Sequence, residues 1–149
     1  MTTTLHTGGC LCGQIRFRIS APPVAVRICW CRDCQHIAGN GTVNAIFPSA
    51  AIEISRADGG ADVQTYASVS ESGNTVQRRF CPRCGSHLFA DSSGRPGLTV
   101  VRVGTLDEPS ALRPSAHIWA SSAPAWACLS DALERVERQP APPARPAAS

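Results

Sequence analysis

Lysine is missing from the chain: all 14 basic residues are arginine, set against 11 acids in 149 residues. Aromatic side chains amount to only 5%. Binders of single-stranded nucleic acid interleave aromatics with a basic groove. No such stripe is present, so nucleic acid is not an expected partner despite a formal charge of +3. There is no apolar run of about 18 residues, which excludes a transmembrane helix. Met1 to His6 carry neither the basic start nor the apolar stretch of a secretory signal. The expectation is a cytoplasmic protein with no membrane partner. Charged residues are few at 17%, yet the 43% hydrophobic content suffices for a packed core, which argues against a disordered or fibrous chain. The length allows one ordinary domain.

Long helical periodicity is scarce as well. Apolar and polar residues alternate strictly through Gln14-Ile15-Arg16-Phe17-Arg18-Ile19, the mark of a strand with one buried face. Further strand candidates are 24–28, 42–47, 51–54, 63–69, 74–80, 87–90, 98–103 and 116–120, separated by turn residues such as Asp58-Gly59-Gly60 and Ser70-Glu71-Ser72-Gly73. Only two helical pieces are expected: a short turn after Cys31, and 129–136, with Ser130 as N-cap. This pattern predicts a mainly β fold of open sheets or an open barrel, with short helices only. The domain is placed at 5–138. The last eleven residues, 139–149, hold four prolines and four alanines and are expected to form a disordered tail.

What the chain has in abundance is cysteine, with eight residues. Without a secretory signal, closely spaced cysteines point to metal rather than to disulfides. Cys81-Pro82-Arg83-Cys84-Gly85 predicts a tight turn with both sulfurs on one side, closed by a glycine in the left-handed region. Zinc–sulfur bonds are about 2.3 Å long and tetrahedral, so this pair needs two more ligands. Cys10 and Cys12, two apart in an extended chain, would point the same way and supply them. Cys10, Cys12, Cys81 and Cys84 are therefore assigned to one closed structural zinc site. Cys29, Cys31 and Cys34 form a second cluster with no obvious fourth ligand. Three protein ligands plus an open position is the arrangement of catalytic zinc. His36 or Cys128 would close this site, and a Cys31–Cys34 redox pair is a further alternative. With two zinc ions and seven thiolates the formal charge of +3 falls to about zero.

The ordered set C-x-C, C-x-C-x2-C and Arg78-Arg79-Phe80-Cys81-Pro82-Arg83-Cys84-Gly85-Ser86 resembles the glutathione-dependent formaldehyde-activating enzyme family, which includes centromere protein V. Gly9-Cys10-Leu11-Cys12-Gly13, Cys31-Arg32-Asp33-Cys34-Gln35 with Gly39, Val103-Gly104-Thr105-Leu106-Asp107 and His117-Ile118-Trp119 support the resemblance, which spans about residues 8–126. It implies a tent-like β fold built around zinc and the same division of ligands. It also implies an enzyme of carbon–sulfur lyase type that joins a small thiol, glutathione, to an aldehyde, formaldehyde, giving S-hydroxymethylglutathione. Trp30, His36 and Ala125 depart from the family's usual residues. All three flank the second site, so the likeness carries fold further than substrate.

On that reading zinc at Cys29, Cys31 and Cys34 captures the thiol and favours its thiolate. Arg32, Arg78 and Arg79 are candidates to pair with substrate carboxylates, because arginine binds them bidentately. His36 is a candidate general base, and Trp30 a candidate pocket wall. Trp119 and Trp126 are expected to pack in the core, Asp107 to serve a turn, and Cys128 to be a buried small hydrophobe. The competing function is a non-catalytic zinc module for a macromolecular partner.

Overall fold

The computed structural model describes residues 3–60, 62–144 and 146. The alternation in β2 (Ile15–Ile19) has its expected consequence. Ile15, Phe17 and Ile19 are buried, while Arg16 and Arg18 are exposed. This strand is the centre of a three-stranded antiparallel sheet between β1 (His6–Gly9) and β5 (Ile52–Arg56).

A second sheet has eight strands. Its spatial order is β11 (Glu134–Arg135), β10 (Ala116–Ile118), β3 (Ala25–Cys29), β4 (Thr42–Pro48), β9 (Leu98–Arg102), β8 (His87–Ser92), β7 (Thr75–Phe80) and β6 (Gln64–Val69). From β3 to β6 every pairing is antiparallel, whereas β10 runs parallel to both β3 and β11. The fold is mainly β and built of open sheets, as the alternation predicts.

Period two assigns each face of the large sheet a task. Ala45, Phe47, Phe89 and Val101 join Ile15, Phe17 and Ile19 of the small sheet in the main core, where the Phe17 and Phe89 rings meet edge-on at 5.2 Å. Each large side chain buried there contributes about 1.5–3 kcal/mol. The opposite face carries a smaller apolar cluster, Ile46, Ala90, Leu98 and Val100. Its flanking polar positions are Arg27, Asn44, Arg78 and Arg102. All five residues of β9 are buried, because both of its faces are covered.

Two elements differ from expectation. The first is β1, where His-Thr-Gly-Gly has no hydrophobic period to signal a strand. Its glycines let the backbone lie directly on Phe17: a Cβ at Gly8 would come within 2.4 Å of that ring. The second is 129–136, expected as a helix. It is a turn followed by β11, with Glu134 N–H donating to Ser115 O and Val136 N–H to His117 O. So short a segment cannot hold a helix alone, and the open edge of β10 offers its backbone partners instead. Of the expected tail 139–149, Arg145 and residues 147–149 lie outside the described residues. Among the described residues no helix is long and apolar enough to cross a membrane.

Candidate metal and substrate site

Cys81 directly follows β7 and lies in the main core with no exposed surface. The chain then turns as its sequence predicts. Gly85 takes a φ of 75° and returns its N–H to Cys81 O at 2.9 Å. Cys10 and Cys12 meet this turn from the other end of the molecule, though not on an extended chain as their spacing suggested. Gly13, at φ 78°, donates to Cys10 O, so a tight turn brings the two sulfurs together. The four ligand atoms lie within 4.8 Å of one another. Cys10 and Cys12 are 3.6 Å apart, Cys12 and Cys81 3.8 Å. A tetrahedron with bonds of about 2.3 Å has edges of about 3.8 Å, so the sulfurs are spaced as a metal requires. Backbone and hydroxyl donors are aimed at them: Ile15 N–H at Cys10 Sγ (3.2 Å) and the Ser86 hydroxyl at Cys84 Sγ (3.2 Å). The Ser86 hydrogen bond is the largest influence that draws Cys84 down to about 5. These sulfurs are placed as acceptors, which is how thiolate ligands sit.

The second cluster is assembled by β3 and the one α-helix of the described residues, α1 (Arg32–Ala38). Cys29 ends the strand. Cys31 caps the helix, its sulfur accepting from Cys34 N–H at 3.4 Å, and Gly39 closes it at φ 71°. Gln35 pins the helix by donating to Trp30 O (2.7 Å) and Ser122 O (2.9 Å). Cys29, Cys31 and Cys34 again bring their sulfurs within 4.8 Å of one another. Three thiols this close cannot all ionise without a cation. Hydrogen bonds from Cys29 and Cys31 draw the Cys34 pKa well down, with help from the Arg102 charge. Cys29 is pushed up by its bonds to Cys31 and Cys34 and by burial. Both clusters thus have the donor set and spacing to hold a soft metal ion.

The two clusters differ in what surrounds them. Cys29, Cys31 and Cys34 form one wall of a cavity of about 180 Å³ on the outer face of the large sheet. Ile46, Val100, Ile118 and Trp119 give it an apolar body, and Arg27, Arg78, Arg95 and Arg102 a polar one. Arg78, expected to bind substrate, does lie here. It is buried and already engaged, donating to Ser68 Oγ and Asp33 Oδ2, each at 2.8 Å. Gln139, Pro140 and Pro142 also line the cavity, and Gln139 Oε1 accepts from Trp119 Nε1 at 3.0 Å. Trp119 holds a left-handed φ of 54°, a strained conformation for so large a residue.

Other expected residues are not brought into this cavity. Arg32 is exposed and donates to Gln35 Oε1 on its own helix. His36 is exposed, with its Nδ1 against Arg32 O at 2.8 Å. Trp30 is buried behind the cluster, its ring covering Gly41. Arg79 points to the other face, over the Phe89 ring and paired to Asp91. Cys128 and Trp126, expected to be buried, are exposed, and Cys128 joins neither cluster. Asp107 does more than serve a turn: it accepts from Thr7 and Arg16 and so ties β1 and β2 to the loop after β9. Arg27, Arg95, Arg102 and Asn44 were missed: Arg95, Arg102 and Asn44 neighbour no cysteine motif, and Arg27, two residues before Cys29, joins them only through the pairing of β3, β4 and β9.

His117, behind the second cluster, makes a testable prediction. Its Nδ1 faces Trp30 Nε1–H and its Nε2 faces Ser130 N–H, both at 3.1 Å. A neutral ring has one nitrogen free to accept, and a charged ring has none. Burial lowers the His117 pKa below its ordinary value of 6.5, and Arg135 pushes it the same way. Below that pH the unfolded chain binds the proton and the folded one does not. Stability is therefore complete above pH 6.5 and is lost as pH falls through the folded pKa. The thermal midpoint should drop over this interval more steeply in the wild type than in His117→Gln. Parallel profiles would refute the assignment.

A family model described as glutathione-dependent formaldehyde-activating enzyme matches residues 5–122. A Halomonas elongata protein provisionally named a glutathione-dependent formaldehyde-activating enzyme is 29% identical over 125 residues, which cover 82% of this chain and 79% of its own. The crystal structure of a Rhodobacter sphaeroides protein is similar in fold, with a TM-score of 0.53 at 20% identity, over 72% of this chain and 91% of that one. The stretch matched by the family model contains all seven cysteines of the two clusters. The chain belongs to the glutathione-dependent formaldehyde-activating enzyme family.

Proposed function

We propose that the chain catalyses reversible addition of a thiol to an aldehyde at the Cys29–Cys31–Cys34 cluster. Glutathione and formaldehyde would give S-hydroxymethylglutathione, and the reverse reaction is that of a carbon–sulfur lyase. One observation carries this reading: the three sulfurs converge on the wall of a cavity, whereas Cys10, Cys12, Cys81 and Cys84 complete a set of four. Zinc suits both sets, structural in the closed one. In the other, three thiolates would leave it a fourth position that can hold a substrate sulfur as thiolate.

In the reaction a sulfur–carbon bond forms and the carbonyl π pair moves to oxygen. The thiol proton ends on that oxygen, and nothing is oxidised or reduced. Three thiolates leave a zinc ion at net −1, which favours capture and positioning of the thiol over strong polarisation of the aldehyde. The chain's part is to fix the angle between the partners: α1 and β3 hold the cluster, Gln35 locks the helix, and Ile118 and Trp119 wall off one side. Positioning suffices because the uncatalysed addition is already easy.

The test is NMR exchange between carbon-labelled formaldehyde and glutathione, with and without zinc-loaded protein. Faster exchange with the protein is the expected result. An unchanged rate would sink the formaldehyde assignment.

A further inference from the structure

Four guanidinium groups line the cavity beside the cysteine cluster, and their hydrogen bonds are unequally spent. Arg78 is paired to Asp33. Arg102 donates through Nη1 to Thr42 Oγ1 and Asn44 Oδ1, and its buried Nε has no partner among the described residues. Arg95 lies in the turn between β8 and β9. Its guanidinium makes no hydrogen bond or ion pair among the described residues, and its Nη1 is a buried donor without a partner. Arg27 is half-buried on β3, and the Glu134 carboxylate favours its charge. Buried donors left unpaired are costly, at about 1–3 kcal/mol each and more for charged groups.

Like charges are gathered here too. Burial lowers the Arg95 pKa, Asp91 pulls it back, and Arg27 and Arg102 push it down. Asp91 is itself held by Arg79 and Thr99. Besides Asp33, the one carboxylate lining the cavity is Glu71. Glu71 lies in the cavity lining and Glu134 offsets Arg27 from β11, so what the cavity leaves unmet is hydrogen bonding: Arg95 Nη1 and Arg102 Nε are buried donors with no partner among the described residues. The sheet explains the convergence. Arg27, Asn44 and Arg102 are cross-strand neighbours on β3, β4 and β9, on the same face as Cys29, and Gly94 and Arg95 of the turn between β8 and β9 line the same cavity.

We infer that Arg27, Arg95 and Arg102 form an anion site which reads a carboxylate on the incoming thiol, so that the cavity selects thiols carrying an acidic group. The thiol would lie at the cysteine wall, its methylenes along Ile46, Val100 and Ile118, and its carboxylate against Arg95 and Arg27. This rests on the thiol-capture reading of the same cavity, and its test separates the two.

Cobalt(II)-loaded protein is titrated with 3-mercaptopropionate and with 3-mercaptopropanol, and binding is followed by visible absorption. The acidic thiol should bind about tenfold more tightly. Arg95→Gln should reduce that preference to within about twofold without weakening the alcohol, and Arg95→Lys should restore part of it. Equal binding by wild type, or a preference retained in both Arg95→Gln and Arg27→Gln, overturns the inference. So does metal loss from Arg95→Gln, which would mean that the arginine balances the metal site instead. If neither thiol perturbs the spectrum, thiol capture fails. Calorimetry with 3-(methylthio)propionate then decides: binding that Arg95→Gln abolishes upholds the anion site, and no binding overturns it.

Discussion

Cys81→Ser is expected to leave the chain largely unfolded at ambient temperature, whereas Cys31→Ser should leave it folded. The asymmetry follows from where the two clusters sit. Cys81 has no exposed surface and packs in the main core between the sheets. Its cluster joins segments 69 residues apart, measured from Cys12 to Cys81. Without the clasp, the turn at Cys10–Gly13 keeps few other ties to the turn at Cys81–Gly85, such as Leu11 N–H on Ser86 Oγ. Structural zinc in small domains contributes about 10–16 kcal/mol of apparent binding free energy at neutral pH. The whole net stability of a domain is about 5–15 kcal/mol. Losing an ion held by these four sulfurs would therefore remove as much as the fold has to spare. Cys31 lies at the surface of a cavity on the outer face of the large sheet, and no core strand depends on it. Circular dichroism with heating and metal analysis of each variant check this. Native signal and an unshifted midpoint in metal-free Cys81→Ser would refute the structural role.

The cysteine spacing could be read because its chemistry is local. A ligand pair two or three residues apart needs only a turn, and glycines at 13 and 85 announce one. Strands with one buried face were legible for the same reason, since alternation is written in consecutive residues. What could not be read depends on distant partners. β1 forms because Phe17 and Thr105 accept a bare backbone beside them. The 134–136 segment is extended because β10 has a free edge. The arginines of the cavity belong to this second kind. Arg32 sits within the cysteine motif and attracts notice, yet its side chain turns back onto its own helix. Arg27 and Arg102 lie 75 positions apart in sequence and meet through β4, which stands between their strands. Period two alone places each on a face. Only the strand order, β3-β4-β9, makes it the same face.

Cys31→Ala should reduce the exchange of formaldehyde between free and glutathione-bound forms to the protein-free rate while the fold persists. Of the three cysteines at this site, Cys31 separates chemistry from folding best. Cys29 and Cys34 are buried among Trp30, Ile118 and Trp119, so replacing either disturbs packing. Cys31 is partly exposed, and its structural contribution is one cap hydrogen bond from Cys34 N–H. A lost cap costs about 1 kcal/mol, which a fold still clasped at Cys10, Cys12, Cys81 and Cys84 tolerates. Two sulfurs make a poor metal site where three would make an adequate one, so on the proposed reading the thiol would lose its anchor at the cavity wall. Holding two reactants in register is worth several powers of ten in effective concentration. An addition that already proceeds unaided draws on only part of that, and a catalysed rate on the order of a hundredfold above background is expected for wild type. Cys31→Ser tests the point more finely, because a hydroxyl preserves the cap yet is a poor ligand for a soft ion. If Cys31→Ser holds no metal at the second cluster and remains fully active, the reaction does not take place at these sulfurs. If Cys31→Ala and Cys31→Ser are both inactive and both folded, the cap is irrelevant to turnover and the thiolate at position 31 is what the reaction needs.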